Sequence, residues 1–274
     1  MQATRRSVLE TFRWGPAIAL LGASLLAAQP AAAEQDVLDP DLTRAAQPDR
    51  HGPVNFLPEA VAARVNDDRA TATTWAGYDG AKQAPLISVE VDARIIGRLA
   101  LVAGAAYSAD LPNTATRQLR PVLGARAQLL DQGRFGVDAA AALMYRKDVF
   151  TSEGGFVQAA VALERHQGRA RVLANVMYGQ DGEADDLQGE GRLAAMVETA
   201  RGLQVGVDGR YRHLWSSDPH RATYDRPTSE LLAGPTASYT AGSWAVMAET
   251  GLSTIRTSVT QSGLIALAGV ASSF

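Results

Sequence analysis

The chain has 274 residues, no cysteine and nearly balanced charge, with 26 basic and 29 acidic residues. A disulfide framework and cysteine-based metal or redox sites are therefore excluded, and the lack of a basic excess argues against a nucleic-acid-binding protein. The hydrophobic share of 46% is enough for a core or a membrane-facing surface, which argues against global disorder.

The first residues predict an export signal. Arg5 and Arg6 form a positively charged start, residues 16–28 are apolar, and residues 31–33 are alanines. This order of charge, apolar run and small residues is typical of a secretory signal peptide. We therefore expect that residues 1–33 are removed and that the mature protein leaves the cytoplasm.

Residues 34–69 contain four prolines and show no strand pattern. We interpret them as a loose periplasmic N-terminal segment. Within this segment, residues 58–65 are compatible with a short helix, and such a helix could plug the barrel that the rest of the chain predicts.

From residue 86 onward, polar and apolar residues alternate in runs that are joined by glycine-containing turns. In the clearest run, Val89 and Val91 fall on one face and Glu90 and Asp92 on the other. A period of two residues is typical of a β-strand with one apolar face. The pattern predicts five hairpins and a last strand, at residues 86–107, 117–146, 155–178, 187–215, 231–252 and 262–274.

The connections alternate in length. Within the hairpins they are short, and Gly97, Gly133, Gly168 and Gly202 are expected to supply the positive φ that tight turns need. Between the hairpins they are longer, and this alternation is typical of outer-membrane barrels, which favour an even number of strands. With residues 70–78 as a first strand, the prediction is an all-β fold over residues 70–274: a transmembrane antiparallel up-and-down β-barrel of about 12 strands, within a range of about 10–14.

The polar faces of the predicted strands carry eight acidic and eight basic side chains. In a membrane barrel these faces line the lumen, because charges are costly on the lipid side. The predicted lumen-lining residues are Glu90, Asp92, Arg94, Arg120, Arg126, Asp138, Arg146, Glu164, Arg171, Glu190, Arg192, Glu198, Asp208, Arg210, Arg212 and Glu249.

Aromatic residues lie near the strand ends on the apolar faces. Two such rings are typical of the aromatic girdles at the two membrane interfaces. The predicted girdle residues are Tyr107, Tyr145, Tyr178 and Trp215 near the long loops, and Phe135, Tyr239, Trp244 and Phe274 near the short turns.

The last strand ends in Phe274, with Val270 and Ala268 among the apolar residues at alternate positions before it. This ending resembles the C-terminal signature of bacterial outer-membrane β-barrel proteins, a porin-like class. The resemblance implies contact with outer-membrane lipid, residence in the bacterial outer membrane and insertion by the barrel assembly machinery.

With balanced charges inside, we expect a narrow channel or uptake protein for small polar solutes, with little selectivity for either sign. The alternative is a non-conducting structural or surface-interaction barrel whose lumen is closed by salt bridges. A third hypothesis is a lipid-modifying enzyme using His213 with Ser216 or Ser217, but no nucleophile motif and no orienting carboxylate is evident. We therefore expect no enzyme activity.

Carboxylates at alternate positions in residues 181–186 resemble the start of a calcium loop. The glycine and the closing glutamate of such loops are missing, so a solvated acidic loop is the better interpretation. No metal and no cofactor are expected.

Overall fold

The computed structural model describes residues 57–58, 60–109, 117–147, 155–181, 186–216 and 227–274. All of them belong to one compact unit, residues 44–274, whereas the other unit, residues 1–43, lies outside the described residues. The expected signal peptide and most of the acidic loop, residues 182–185, also lie outside them and stay predictions.

Twelve antiparallel strands form one closed barrel, in which each strand pairs with its neighbours in the chain and the first pairs with the last. The strands are β1 Ala70–Asp79, β2 Ala84–Ile96, β3 Leu99–Ala109, β4 Arg117–Leu130, β5 Asp138–Arg146, β6 Phe156–Gln167, β7 Ala170–Asp181, β8 Asp186–Ala200, β9 Leu203–Ser216, β10 Ser229–Ala241, β11 Trp244–Arg256 and β12 Thr260–Ser273. The predicted all-β barrel of about twelve strands is confirmed. Closure leaves no unpaired strand edge, which a lipid environment requires.

Alternation along each strand separates the two faces of the wall. In β8, Glu190 and Arg192 are buried, whereas Leu193 and Val197, further along the strand on the other face, are half exposed. The same alternation on the other strands leaves an outer surface of Leu, Val and Ile and an inner surface rich in charge. A soluble barrel has apolar residues inside and polar residues outside. The opposite arrangement seen here is typical of barrels that lie in a membrane.

The short connections lie at one end of the barrel, at residues 97–98, 131–137, 168–169, 201–202 and 242–243, and this end is called the turn rim below. The connections at the opposite end, the loop rim, range from three residues, 257–259, to twelve residues, 217–228. The two ends of the barrel wall, the start of β1 and Phe274, meet at the turn rim, where the backbones of Ala70 and Phe274 exchange two hydrogen bonds.

One turn differs from the prediction. Residues Gln132–Phe135 form a single helical turn, α1, so Phe135 is not part of β5 and Gly133 has no positive φ. The Asp131 side chain accepts a hydrogen bond from the Gly133 N–H, which starts the turn. Gly136, with φ of 74°, ends it in the left-handed conformation.

The other predicted glycine turns are present, with positive φ at Gly97, Gly168 and Gly202. No helix in the described part of the chain is long and apolar enough to cross a membrane.

The inner surface has two unlike parts. On β1, β10, β11 and β12 it carries an apolar cluster of Trp75, Leu232, Ala245, Met247, Ile265, Leu267 and Ala271. On β4 to β9 it carries most of the buried charges together with small residues. The candidate functional site lies against this second part of the inner surface.

Candidate functional site in the barrel lumen

The structure buries twelve of the sixteen predicted lumen residues: Arg120, Arg126, Asp138, Arg146, Glu164, Arg171, Glu190, Arg192, Asp208, Arg210, Arg212 and Glu249. The remaining four, Glu90, Asp92, Arg94 and Glu198, are half-buried. Of these, Glu198 lies near the turn rim and accepts a hydrogen bond from the Gly202 N–H at 3.0 Å.

The lumen also holds part of the chain itself. Residues 57–58 and 60–66, called the lumen segment, contact inward-facing side chains of several strands. The Asn175 side chain of β7 makes two hydrogen bonds to the segment. The Val61 N–H donates to its Oδ1 at 2.9 Å, and its Nδ2 donates to the Val61 carbonyl at 3.0 Å. Two bonds to one residue mimic a sheet pairing and hold the backbone in place.

Charged and polar side chains bind the segment on either side of Val61. Arg192 donates to the Pro58 carbonyl, and Arg126 donates to the Ala62 carbonyl at 2.7 Å. Further along, the Asn66 side chain donates to the Ser273 hydroxyl of β12 at 2.9 Å. The segment therefore runs through the lumen from β8 to β12.

Small residues on the wall make room for this segment. Val61 and Ala63 pack against inward-facing Ala142, Met144 and Met177, together with Ala160 and Ala162. Leu57 and Ala60 pack against Leu173 and Ala194. The segment fills space that the wall side chains leave open.

The lumen segment corrects one prediction. Its described residues form no helix, so the helix expected over residues 58–65 is wrong. The Pro58 carbonyl, which a helix would bond internally, accepts a hydrogen bond from Arg192 instead. The boundaries proposed for the segment before residue 70 stay a prediction.

Ion pairs cluster at mid-depth of the lumen. Arg192 binds Asp208 with two of its nitrogens and contacts Glu249 at 3.3 Å. Nearer the turn rim, Arg171 contacts Glu164 at 3.0 Å. Because each of these side chains is almost fully enclosed, the charges depend on one another for solvation.

A second ionic cluster lies near the loop rim and is centred on Glu230 of β10. Lys82, in the loop between β1 and β2, contacts Glu230 at 2.8 Å and Asp79 at 3.6 Å. Arg210 and Arg212 each approach Glu230 at 3.6 Å. Burial acts to lower the pKa of Lys82, but Glu230 and Asp79 outweigh burial and raise that pKa above its ordinary value.

A cavity of about 770 Å³, counting the space open to solvent, lies beside this cluster. Its charged lining residues are Lys82, Glu90, Arg120, Arg146, Lys147, Arg210 and Arg212. All seven belong to the loop-rim half of the lumen or to its middle, so this space is called the loop-side cavity. Trp75 and Leu86 form an apolar side of it.

A second, much smaller cavity, of about 300 Å³ when the space open to solvent is counted, lies between the lumen segment and strands β2 to β5. Ala60, Val61 and Ala62 of the segment line one side. Glu90 and Arg146 line both this cavity and the loop-side cavity. The two spaces therefore adjoin at these two side chains.

The predicted girdle residues occupy both rims. Tyr178 and Trp215 near the loop rim, and Phe135, Tyr239, Trp244 and Phe274 near the turn rim, are exposed, whereas Tyr107 and Tyr145 are half-buried. The guanidinium of Arg134 lies 5.1 Å from the centre of the Phe135 ring. Phe135 reaches the outer surface from α1 and not from a strand.

His213 lies on β9 between two aromatic residues. Its ring stacks on Tyr211 and meets Trp215 edge-on, with ring centres 6.3 Å and 4.6 Å apart. Its Nδ1 is 3.4 Å from the Tyr211 hydroxyl, and none of the described carboxylates is hydrogen-bonded to it. Ser217 lies outside the described residues, and these contacts are those of an interfacial aromatic cluster.

Three lumen residues were missed by the strand pattern. Glu230 stands one residue before the predicted start of its strand, although alternation with Leu232 places it inward. Asn175 was passed over because an amide carries no charge signal, and Lys82 lies in a loop where alternation does not apply. Extending each strand by two residues would have found Glu230.

Among the described residues, no group of His, Asp and Glu side chains could hold a metal ion. From the acidic loop, only its two ends are described, and there the Asp186 N–H donates to Asp181 Oδ1 at 3.3 Å.

A closed twelve-stranded antiparallel barrel with an apolar outer surface and a charged inner surface has the architecture of porin-like outer-membrane β-barrels. No protein-family model matches the chain, and no curated protein matches it either.

Solved structures with the same fold were found. The NanC porin is 9% identical, with a TM-score of 0.53 over 74% of this chain and 100% of the porin. An outer-membrane channel from Pseudomonas putida F1 is 11% identical, with a TM-score of 0.51 over 80% of this chain and 100% of the channel. At such low identity the likeness shows the fold alone.

Proposed function

We propose that this protein is a narrow outer-membrane channel for small polar solutes. The observation that carries the proposal is the pair of adjoining cavities, which lie side by side along β2 to β5 between the loop-rim half of the lumen and the lumen segment. Glu90 and Arg146, which line both spaces, are the narrow point of the path in this proposal.

The inner face of β3 supports this path. Its inward residues Ala100, Val102, Gly104 and Ala106 are small, and neighbouring Gly124 on β4 adds no side chain. A barrel of twelve strands is wider than one of eight, whose side chains fill the interior. Here the wall alone does not fill the lumen, and water can occupy what the segment leaves open.

A non-conducting barrel is the second candidate, and the lumen segment itself favours it. Hydrogen bonds from Asn175, Arg126 and Arg192 anchor the segment to three strands. If these contacts persist in the membrane and the adjoining cavities stay separate, ions have no route.

Single-channel conductance in a planar bilayer separates the two candidates. We expect steady conductance from the refolded protein, and Arg146→Glu should shift ion selectivity toward cations, because the charge at the narrow point is reversed. Arg169→Glu makes the same charge change at an exposed turn-rim position away from both cavities and serves as the control.

The Asn175→Ala variant tests whether the segment blocks the lumen. Loss of both bonds to Val61 should loosen the segment and raise conductance. If the correctly folded wild type shows no conductance and Asn175→Ala conducts, the barrel is closed by the lumen segment. Silence from both would contradict the channel.

A further inference from the structure

The lumen segment reverses its direction inside the barrel. The Ala60 N–H donates to the Leu57 carbonyl at 3.3 Å. A hydrogen bond from the fourth residue back to the first closes a β-turn, and Pro58 stands at the second position, which favours proline. Residues 60–66 are therefore one arm of a loop, and Leu57 begins the other arm.

Both arms approach the turn rim. At the end of the first arm, the Asn66 side chain donates to the hydroxyl of Ser273, the last residue of β12, at 2.9 Å. On the other arm, Leu57 packs against Leu173 of β7, which is nearer the turn rim than the position on the same strand where Val61 is bound. The closed end of the loop therefore points into the lumen, and its open end faces the turn rim.

The barrel wall holds this loop by its backbone. Gln128 Oε1 accepts a hydrogen bond from the Val65 N–H at 3.0 Å. Three further inward side chains bind N–H or carbonyl groups of residues 58–64: Arg126, Asn175 and Arg192. Water makes hydrogen bonds of the same kind to an exposed backbone, so the net loss when each bond is released is modest.

The two arginines that hold the loop also have counter-ions on the wall. Arg126 contacts Asp92, and Arg192 contacts Asp208 and Glu249. Both guanidinium groups keep these carboxylates when the loop leaves. Withdrawal of the loop therefore leaves neither guanidinium buried without a counter-ion, and that would be the most costly consequence.

The two amides that hold the loop keep partners on the wall as well. Gln128 Nε2 donates to Asp138 Oδ1 at 3.2 Å, and Asn175 Nδ2 donates to the Ala174 carbonyl at 3.0 Å. Each amide therefore retains a hydrogen bond inside the barrel when its bond to the loop is released, so the wall does not depend on the loop for its own polar contacts.

The closed end of the loop is small and borders open space. Val61 and Ala63 pack against alanines and methionines of the wall. Because apolar stabilisation scales with the area removed from water, two small side chains lose little on withdrawal. The second cavity touches residues 60–62 and adjoins the loop-side cavity, so withdrawal would widen the space that both already provide.

We propose that the lumen segment is a reversible plug, which withdraws from the lumen through the turn rim while the barrel wall stays folded. Because the closed end of the loop points inward, the loop can leave without a chain end being threaded through the barrel. This inference gives the regulation of the proposed channel and rests on that function for its biological sense, but withdrawal can be measured without conduction.

A bulky thiol reagent measures withdrawal directly. The chain has no cysteine, so a single introduced cysteine is the only thiol in each variant. The probe is a maleimide joined to a polyethylene glycol chain too large to enter the lumen, and it is added to cells that export the full-length protein. Val61→Cys and Ala162→Cys place the thiol in the same buried cluster, on the lumen segment and on β6 respectively.

Two exposed positions define the two sides of the membrane. Val259→Cys lies in the connection between β11 and β12 at the loop rim, and Arg169→Cys lies in a turn at the turn rim. Labelling before and after the outer membrane is permeabilised shows which compartment each rim faces. We expect Val61→Cys to be labelled only under the conditions that label Arg169→Cys, and Ala162→Cys to stay unlabelled in the folded barrel.

Loosening the plug should speed its labelling. Asn175→Ala removes both hydrogen bonds to residue 61, so Val61→Cys should react about tenfold faster or more in its presence. Gln158→Ala is the matched control, because the buried Gln158 amide binds Gln188 at 3.0 Å and not the segment, and it should leave the rate unchanged. Retention of heat-modified mobility on gels verifies that each variant is folded.

Three results would each overturn the plug: no labelling of Val61→Cys in the folded barrel, equal labelling of Ala162→Cys, or an unchanged rate with Asn175→Ala. Labelling of Val61→Cys only under the conditions that label Val259→Cys would overturn withdrawal through the turn rim. If the wild type conducts but Val61→Cys is never labelled, the plug fails and the channel stands. If labelling follows the expectation but no variant conducts, the channel fails and the plug stands.

Discussion

The two parts of the inner surface fill the lumen in different ways. On β10, β11, β12 and β1, large apolar side chains meet one another, and the Trp75 ring lies against Gly269, where a Cβ would come within 2.7 Å of the ring. On β4 to β9, the inward residues include many small ones, such as Ala142 and Ala162, and most of the charged ones, such as Arg126 and Arg192.

This difference explains where the lumen segment lies. The apolar part is packed by its own side chains and leaves the segment little surface to contact. The charged part has free volume between its small residues, and the segment fills it. This part also has side-chain donors, and the carbonyls of Pro58 and Ala62 accept hydrogen bonds from two of them. A wall that does not complete its own packing can accept a peptide or a solute in the same place.

The largest expected effect comes from breaking the centre of the charged part. Arg192→Met removes the cation shared by Asp208 and Glu249, which are almost completely enclosed. Two neighbouring buried carboxylates would lose the guanidinium that they share, so we expect a loss of about 3–5 kcal/mol in the free energy of unfolding. Urea unfolding of the barrel in lipid vesicles measures this loss.

The matched control neutralises the carboxylates as well. The triple variant Arg192→Met, Asp208→Asn, Glu249→Gln should recover most of the stability, since no charge remains uncompensated. A loss below about 1 kcal/mol in Arg192→Met would contradict the enclosed cluster and indicate that water solvates these charges.

A smaller effect distinguishes the inner surface from the outer one on a single strand. Val161, in the middle of β6, is 50% exposed on the outer face, and Val157, near the loop rim, is 55% exposed. Val161→Arg should cost about 2–4 kcal/mol and Val157→Arg about 0–1 kcal/mol, because the penalty for arginine falls from the bilayer centre to the interface.

Unfolding in vesicles again measures both variants. Equal stability of the two would show that β6 does not face hydrocarbon at Val161, and the assignment of the outer face would be wrong. Ala139 of β5 shares the outward face of its strand but is only 5% exposed, so a substitution there would not test contact with lipid.

Much of the fold could be predicted because each strand carries its own signal. The alternation of Glu90 and Asp92 with valines predicts a two-sided strand without any knowledge of its neighbours. The first strand, Ala70–Asp79, has poor alternation and was predicted from the need for an even number of strands. Phe135 was misplaced because it stands two residues before Val137 and so continues the apolar alternation of β5.

The interior could not be predicted in the same way. Val61 and Asn175 are 114 residues apart, and no local pattern connects them. The separation of charges into a mid-depth cluster and a cationic cavity depends on which strands face each other across the lumen. A count of eight acidic and eight basic residues therefore suggested a neutral lumen, although its charges are unevenly placed.

The smallest expected effect concerns Lys82, which contacts Glu230 of β10 across the two parts of the inner surface. Because its pKa is shifted, this contact can be tested by varying the pH. Glu230 and Asp79 outweigh burial and raise the pKa of Lys82 in the folded state. Its stabilising contribution is therefore fully present below the unfolded pKa of about 10.4 and is lost as pH rises through the higher folded value. Unfolding free energies measured across this alkaline range should fall more steeply for the wild type than for Lys82→Met. Lys147→Met, which alters the only other lysine of the chain, should keep the wild-type slope; equal slopes in all three proteins would show that the contact between Lys82 and Glu230 does not stabilise the barrel.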